Sequence, residues 1–179
     1  MNTQLQPRPL IAISRCLLGE NVRYDGQVRH DGELIRFIQQ HFDCIAVCPE
    51  VEIGLSVPRP AVQLYSSPRG IRMAGRDQPE IDITAAMQTY CQQRPPQLSG
   101  IQGYIFKSRS PSCGLQDIPR FNQQGTIEAT GAGLFAEAMV QHFPELPITD
   151  EQTLQEQSQR SHFLQQVKHY QARKCADTI

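Results

Sequence analysis

The sequence predicts an α/β fold built on one open, mostly parallel, Rossmann-like sheet with helices on both faces. Two observations predict it. Short apolar runs of strand length alternate with amphipathic segments of helix length, which is the pattern of a parallel sheet covered by helices. The chain of 179 residues is close to the roughly 150 residues of one domain, and it shows no internal repeat. We expect a single domain over residues 1–179, with a core at about 10–148 and a C-terminal helix at about 150–170.

The first fifty residues predict a strand, a helix and a second strand. The apolar run at residues 10–14 lies shortly before a glycine, which fits a buried strand. Residues 32–41 carry apolar side chains at helical spacing, and Asp31 is the expected N-cap. Residues 44–47 form the second apolar strand, which Pro49 ends.

The middle of the chain predicts a hairpin followed by a helix. Residues 61–74 contain the segments VQLY and IRMA on either side of Ser-Ser-Pro-Arg-Gly, whose composition favours a tight turn. Residues 82–93 are predicted as the next helix. Because proline cannot continue helical hydrogen bonding, Pro95 and Pro96 are expected to end it.

The second half of the chain predicts strands and helices in alternation. An apolar strand at residues 103–107 leads into a loop at 108–114. A helix, a short strand and a helix with a Gln-rich polar face follow, at residues 126–142, 146–148 and 150–170. Cys175 is expected in a frayed tail beyond the last helix.

Composition excludes several classes of protein. The 17 basic and 18 acidic residues give a formal charge of −1, which argues against a strongly basic protein that coats nucleic acid. No apolar run approaches the roughly 18 residues of a membrane span, and residues 1–9 lack the pattern of a secretory signal. We expect a cytoplasmic monomer or homodimer that binds no membrane, and the charge balance does not favour nucleic acid as its partner.

Three of the six cysteines lie in the loops that follow predicted strands. Cys16, Cys48 and Cys113 have this placement, whereas the other three do not. Because parallel strands end at the same edge of a sheet, these three thiols are expected to converge there. Three readings remain open: a zinc site with an open fourth position, an iron–sulfur cluster with one iron lacking a cysteine, or core cysteines at strand ends.

Polar residues beside these cysteines are candidates for catalysis or substrate binding. Glu50 is a candidate proton donor or acceptor two residues from Cys48, and Ser110 and Ser112 supply hydroxyls in the loop of Cys113. Arg23 is either a substrate ligand or part of a surface turn, and Arg59 is either an anion or carbonyl ligand or an exposed arginine.

Four segments resemble the thiouracil desulfidase family of bacteria. They are SRCLLGENVRYDG, CPEVEIGLSVPRPAVQL, GRDQPEIDIT and FKSRSPSCG, and the resemblance extends over about residues 10–142. The combination of CLLG-x3-RYDG, CPE and SPSCG in this order is specific. One departure is the stretch Ile53-Gly54-Leu55-Ser56 where the family usually has a double glycine, which is expected to alter the pocket wall.

The resemblance implies an enzyme with a [4Fe–4S] cluster. Members are similar in binding the cluster through three cysteines, which match Cys16, Cys48 and Cys113 here. The open fourth iron is thought to take sulfur from a thiolated pyrimidine as a transient [4Fe–5S] state, and water replaces the sulfur to give uracil and hydrogen sulfide without net redox change. The family's acid/base glutamate falls on Glu50 and its active-site serine on Ser110.

The substrate and one alternative function stay open at this point. A thiolated base, nucleoside, nucleotide or RNA presents the same soft sulfur to a soft iron. The alternative to catalysis is a structural or regulatory module in which zinc or a cluster holds three loops together. A catalytic site needs an open coordination position with polar groups around it, whereas a structural site is closed by four protein ligands.

Overall fold

Eight strands and five helices form the part of the chain that the computed structural model describes, residues 7–28 and 31–176. The strands are β1 (Leu10–Ser14), β2 (Asp43–Val47), β3 (Val62–Ser67), β4 (Gly70–Gly75), β5 (Tyr104–Phe106), β6 (Ile118–Phe121), β7 (Ile127–Gly131) and β8 (Ile148–Asp150). The helices are α1 (Gly32–His41), α2 (Pro49–Glu52), α3 (Thr84–Gln97), α4 (Leu134–His142) and α5 (Gln157–Ala176). The ends of the predicted domain, residues 1–6 and 177–179, lie outside the described residues.

The first sheet is parallel and has the strand order β2-β1-β5-β8. Side chains of β1 alternate between its two faces, as the pleat of a strand requires. Ile11 and Ile13 pack in a core with α1 and α5, whereas Ala12 packs in a core that includes α4. The predicted α/β fold, with a mostly parallel sheet and helices on both faces, is therefore confirmed. The predicted cap of α1 is also present, since Asp31 Oδ1 accepts hydrogen bonds from two N–H groups of its first turn.

A second sheet was not predicted from the sequence. Its order is β4-β3-β6-β7, with two antiparallel hairpins joined by the parallel pair β3 and β6. The hairpin predicted at residues 61–74 is present as β3 and β4. Leu64, Met73 and Ile118 from this sheet form a small core with Ile83 and Met87.

The predicted helix at residues 126–142 is wrong in its first half. Residues Ile127–Gly131 form β7, and α4 begins only at Leu134. The turn before β7 explains the difference. Gly125 has a φ of 77°, and the Asn122 side chain accepts hydrogen bonds from two N–H groups of the turn, so the chain reverses and β7 pairs with β6.

The predicted end of α3 before two prolines is also wrong. The helix continues through Pro95 and Pro96 to Gln97. A proline lacks an N–H group but keeps its carbonyl, and these carbonyls accept from Leu98 N at 2.9 Å and from Ser99 N at 3.3 Å. The prolines thus close the last turn of α3 through their acceptors.

The C-terminal elements lie later in the chain than predicted. Strand β8 begins at Ile148, and the Asp150 carboxylate accepts from Thr153 N at 2.8 Å, which starts a 3₁₀ turn before α5. Helix α5 runs to Ala176, so Cys175 lies in its last turn and not in a frayed tail. No helix in the described part of the chain is both long enough and apolar enough to cross a membrane.

Candidate active site

Three strand ends of the first sheet bring three cysteines to one cavity. Cys16 lies in a 3₁₀ turn that follows β1, Cys48 lies between β2 and α2, and Cys113 lies in the loop after β5. All three line a cavity of about 350 Å³, and Cys44, Cys91 and Cys175 do not. The structure therefore places the cysteines as the carboxyl-edge argument predicts.

Burial raises the pKa values of all three thiols. Desolvation raises the pKa of Cys16 to about 11, although the positive charge of Lys107 opposes the shift. It also raises the pKa of Cys48, and that of Cys113 well above its usual range. A bound metal stabilises thiolates directly and would release these protons.

The donor set of the cavity suits an iron–sulfur cluster better than a single metal ion. Within residues 7–28 and 31–176, no three His, Cys, Asp or Glu side chains are grouped so that they could hold a metal ion. An iron–sulfur cluster differs from a single ion because each thiolate binds a different iron. Three soft thiol donors around one cavity fit the chemistry of such a cluster.

Glu50 is a buried carboxylate with both oxygens in use. Its Oε2 accepts from Arg59 Nε at 2.9 Å and from Arg59 Nη2 at 2.7 Å, and its Oε1 accepts from Ser112 Oγ at 2.8 Å. The side chains of Glu50 and Arg59 are only 11% and 5% exposed. Helix α2 begins directly after Cys48 and places Glu50 two residues beyond it, where the carboxylate lines the cavity and is held by Arg59 and Ser112.

Arg59 is fully engaged by the protein. Besides the pair with Glu50, its Nη1 donates to Val22 O at 3.0 Å and to Ser56 O at 3.3 Å, and its backbone N–H donates to Tyr24 O at 2.9 Å. Arg59 lines the cavity, but its guanidinium is committed to Glu50. Sequence reasoning proposed a substrate contact, and this stays a prediction.

The loop of Cys113 is held by its own hydroxyls and by α4. Ser110 Oγ accepts from Ser112 N at 3.2 Å and from Cys113 N at 3.1 Å, so its own hydrogen remains free to be donated. The loop carbonyls of Pro111 and Ser112 accept from N–H groups of the first turn of α4. These N–H groups have no acceptor within the helix. The loop carbonyls therefore supply the hydrogen-bond acceptors that the first turn of α4 needs.

Gly133 allows this close contact, and its replacement is expected to be costly. A Cβ at Gly133 would lie 2.6 Å from the carbonyl carbon of Ser112 and 2.8 Å from Pro111 O. Gly133→Ala should lower the free energy of unfolding by about 1–3 kcal/mol, because the backbone must move. Urea denaturation under anaerobic conditions measures the change. Gly100→Ala is the matched control, since a Cβ there meets nothing within 4 Å; equal effects of the two substitutions would contradict the role of Gly133.

A carboxylate that the sequence analysis missed comes from the fourth strand end. Glu151, directly after β8, accepts from Lys107 Nζ at 2.6 Å, from Ser108 Oγ at 2.6 Å and from Ser108 N at 2.7 Å. It lines the cavity together with Lys107. The predicted elements concealed Glu151, because they ended the last strand at residue 148 and placed Glu151 inside a helix, whereas β8 runs to Asp150.

Arg23 braces the turn beside Cys16. Its Nε and Nη2 donate to the two carboxylate oxygens of Asp25 at 3.0 and 2.7 Å, and this pair lowers the pKa of Asp25 to about 2. The turn is closed by a hydrogen bond from Gly26 N to Arg23 O at 3.1 Å. Arg23 also lines the cavity, so the turn is part of the cavity wall.

Glu52 connects the loop of Cys48 to α3. Its Oε1 accepts from Cys48 N at 3.0 Å, and its Oε2 accepts from Tyr90 Oη at 2.8 Å and lies 3.1 Å from Arg94 Nε. The neighbouring Ile53 packs against the core of the second sheet and is not among the residues that line the cavity. Ile53 therefore does not form part of the pocket wall itself, and any effect it has on the wall is indirect.

The fold and the site together define a class of protein: an α/β domain with a three-thiol centre and a buried carboxylate at the carboxyl edge of its parallel sheet. Comparison with known proteins identifies the family. The model of the 2-thiouracil desulfurase family matches residues 11–151, and the chain belongs to that family. A search of curated proteins found no match.

A solved structure is also similar to this chain. It is described as the [4Fe–4S]-dependent thiouracil desulfidase TudS, with a TM-score of 0.61 and 26% sequence identity over 84% of this chain and 96% of that chain. The resemblance found in the sequence is thus confirmed, as is the predicted enzyme class, a thiouracil desulfidase.

Proposed function

We propose that the chain is a [4Fe–4S]-dependent desulfidase that converts a thiolated pyrimidine and water into uracil and hydrogen sulfide without net redox change. The observation that carries the proposal is the meeting of three thiols from three strand ends with the Glu50 carboxylate in one cavity. The predicted single domain and cytoplasmic location are part of the proposal. The similar structure described as TudS supports the choice of cluster.

In this proposal Cys16, Cys48 and Cys113 hold the cluster as thiolates. When bound, the cluster supplies a Lewis-acidic iron without a protein ligand, which is suited to a soft thiocarbonyl sulfur. The raised pKa values of the three thiols mean that loading releases protons from buried groups. The cavity that the three thiols share also has room for a small substrate beside them.

Glu50 is proposed to move the protons of the reaction. Replacing C=S by C=O uses one water, whose oxygen bonds to the ring carbon and whose two protons leave with the sulfur. A carboxylate oxygen of Glu50 accepts a proton as the water attacks and returns it to the leaving sulfur. Arg59 and Ser112 act as positioning residues in this scheme, since they fix the two oxygens of Glu50.

Ser110 is proposed to orient the substrate or the water. Because its oxygen already accepts two backbone N–H groups, its hydrogen can be donated to a carbonyl or to water in the cavity. Arg23, which also lines the cavity, is proposed as a further substrate contact. The cavity of about 350 Å³ is within the usual range for small ligands, so a free base, a nucleoside or a nucleotide is the proposed partner.

Metal and sulfide analysis tests the proposal directly. After anaerobic purification and reconstitution, we expect about four irons and four acid-labile sulfides per chain, followed by stoichiometric uracil and sulfide from 2-thiouracil. One zinc without sulfide would instead establish a structural or hydrolytic metal site and overturn the proposal. A loaded cluster without any desulfidation would overturn the catalytic part alone.

A further inference from the structure

The faces of a pyrimidine ring need a different surface from its edges. The edges carry hydrogen-bonding groups that polar side chains can satisfy, whereas the two flat faces gain most from stacking on an aromatic ring. In the cavity described above, most of the lining side chains are polar or charged. The catalytic groups described above do not account for contacts to the ring faces. A residue that contacts a ring face is therefore still to be identified in this site.

Tyr24 is the only aromatic residue among those lining the cavity in the described part of the chain. It is 42% exposed, which is unusual for a large hydrophobic side chain in this protein. The lining residues Val22 and Val47 are buried, so they offer little free surface to a ligand. Tyr24 therefore combines access with a flat apolar face.

The structure holds Tyr24 in place without using its hydroxyl. Its carbonyl accepts from Arg59 N at 2.9 Å, and the Arg23 guanidinium lies over its ring, 5.8 Å from the centroid. Asp25 in turn fixes Arg23. Among the described residues, none hydrogen-bonds to the Tyr24 hydroxyl. An exposed ring on a braced turn is preorganised for a ligand.

We infer that Tyr24 is the stacking residue for the pyrimidine ring and thereby selects planar heterocycles as substrates. The inference rests on the proposed function, because the substrate ring is that of a thiolated pyrimidine. Its backbone tie to Arg59 places the stacking surface and the Glu50 carboxylate on one hydrogen-bonded unit. The backbone that carries the ring is thus tied to the residue that pairs with the group that moves protons.

The test compares Tyr24→Leu with Tyr24→Phe in the cluster-loaded enzyme. Leucine keeps an apolar side chain but removes the aromatic face, and phenylalanine keeps the face but removes the hydroxyl. For Tyr24→Leu we expect calorimetric uracil affinity to fall, and KM for 2-thiouracil to rise, by roughly 5- to 100-fold. For Tyr24→Phe we expect both within about twofold of the unchanged enzyme, because stacking does not need the hydroxyl.

Three further readouts make the outcome decisive. Iron content, cluster absorbance and kcat should stay unchanged in both variants, since stacking acts on binding. Unchanged uracil affinity in Tyr24→Leu, or no uracil binding by the unchanged enzyme, would overturn the inference even while desulfidation proceeds. Loss of cluster or of kcat in Tyr24→Leu would also overturn it, by showing that Tyr24 supports the loop of Cys16. Failure of the proposed function appears separately, as an unchanged enzyme that lacks a cluster or turnover.

Discussion

Replacing Cys16, Cys48 or Cys113 by alanine is expected to abolish cluster assembly and desulfidation. Each of these cysteines comes from a different strand end and lines the same cavity. A cluster that has only three protein ligands cannot lose one without exposing a second iron, so the loss should be complete in each variant. The measurement is iron and acid-labile sulfide per chain after anaerobic reconstitution, with uracil release from 2-thiouracil as the second readout.

Three other cysteines of the same chain provide matched controls. Cys44→Ala, Cys91→Ala and Cys175→Ala should keep iron, sulfide and turnover, since none of these residues lines the cavity. Because Cys113 is buried, its alanine variant should be accompanied by Cys113→Ser, which nearly preserves side-chain volume. A stable cluster in any of the three cavity variants that fold would refute the ligand assignment.

The convergence of the cysteines was predictable because it depends on topology. A parallel sheet ends all its strands at one edge, so a cysteine after each of three strands must come to that edge. The strands β1, β2 and β5 carried clear apolar runs in the sequence. The fold class and the position of the three thiols could therefore be predicted without any knowledge of side-chain packing.

The second sheet could not be predicted for a physical reason. Four of the five residues of β7 are exposed, so this strand has no buried face that would produce an alternating pattern. The helical spacing of the residues in α4 therefore led to the prediction of one helix that also covered β7. A hydrophobic pattern reveals a strand or helix only when one of its faces is buried. An exposed edge strand has no such face, so its sequence shows little pattern.

The partners of the site residues were equally hidden from the sequence. Arg59 lies nine residues from Glu50, and nothing in that spacing indicates that its guanidinium serves the carboxylate and not the substrate. Glu151 is 44 residues from Lys107, and it lay within a predicted helix. Such pairs depend on tertiary packing, so they follow from the structure alone.

Glu50→Gln is expected to keep the cluster and to lose turnover. Glutamine has nearly the same shape, and its carbonyl oxygen can still accept from Arg59 or Ser112, but it cannot take a proton from water. Loss of a positioned general base typically lowers kcat by about 10²- to 10⁴-fold. The measurement is kcat for 2-thiouracil at matched iron content. Unchanged turnover would remove Glu50 from the mechanism.

A second variant separates proton transfer from charge pairing. Glu50→Gln alone leaves the buried Arg59 without its counter-charge, which could distort the site and lower activity indirectly. The double variant Glu50→Gln with Arg59→Gln removes both charges and hence that imbalance. If Glu50 moves protons, the double variant stays as inactive as Glu50→Gln although its melting temperature recovers. If activity recovers together with stability, the carboxylate serves only to neutralise Arg59, and another group must carry the proton.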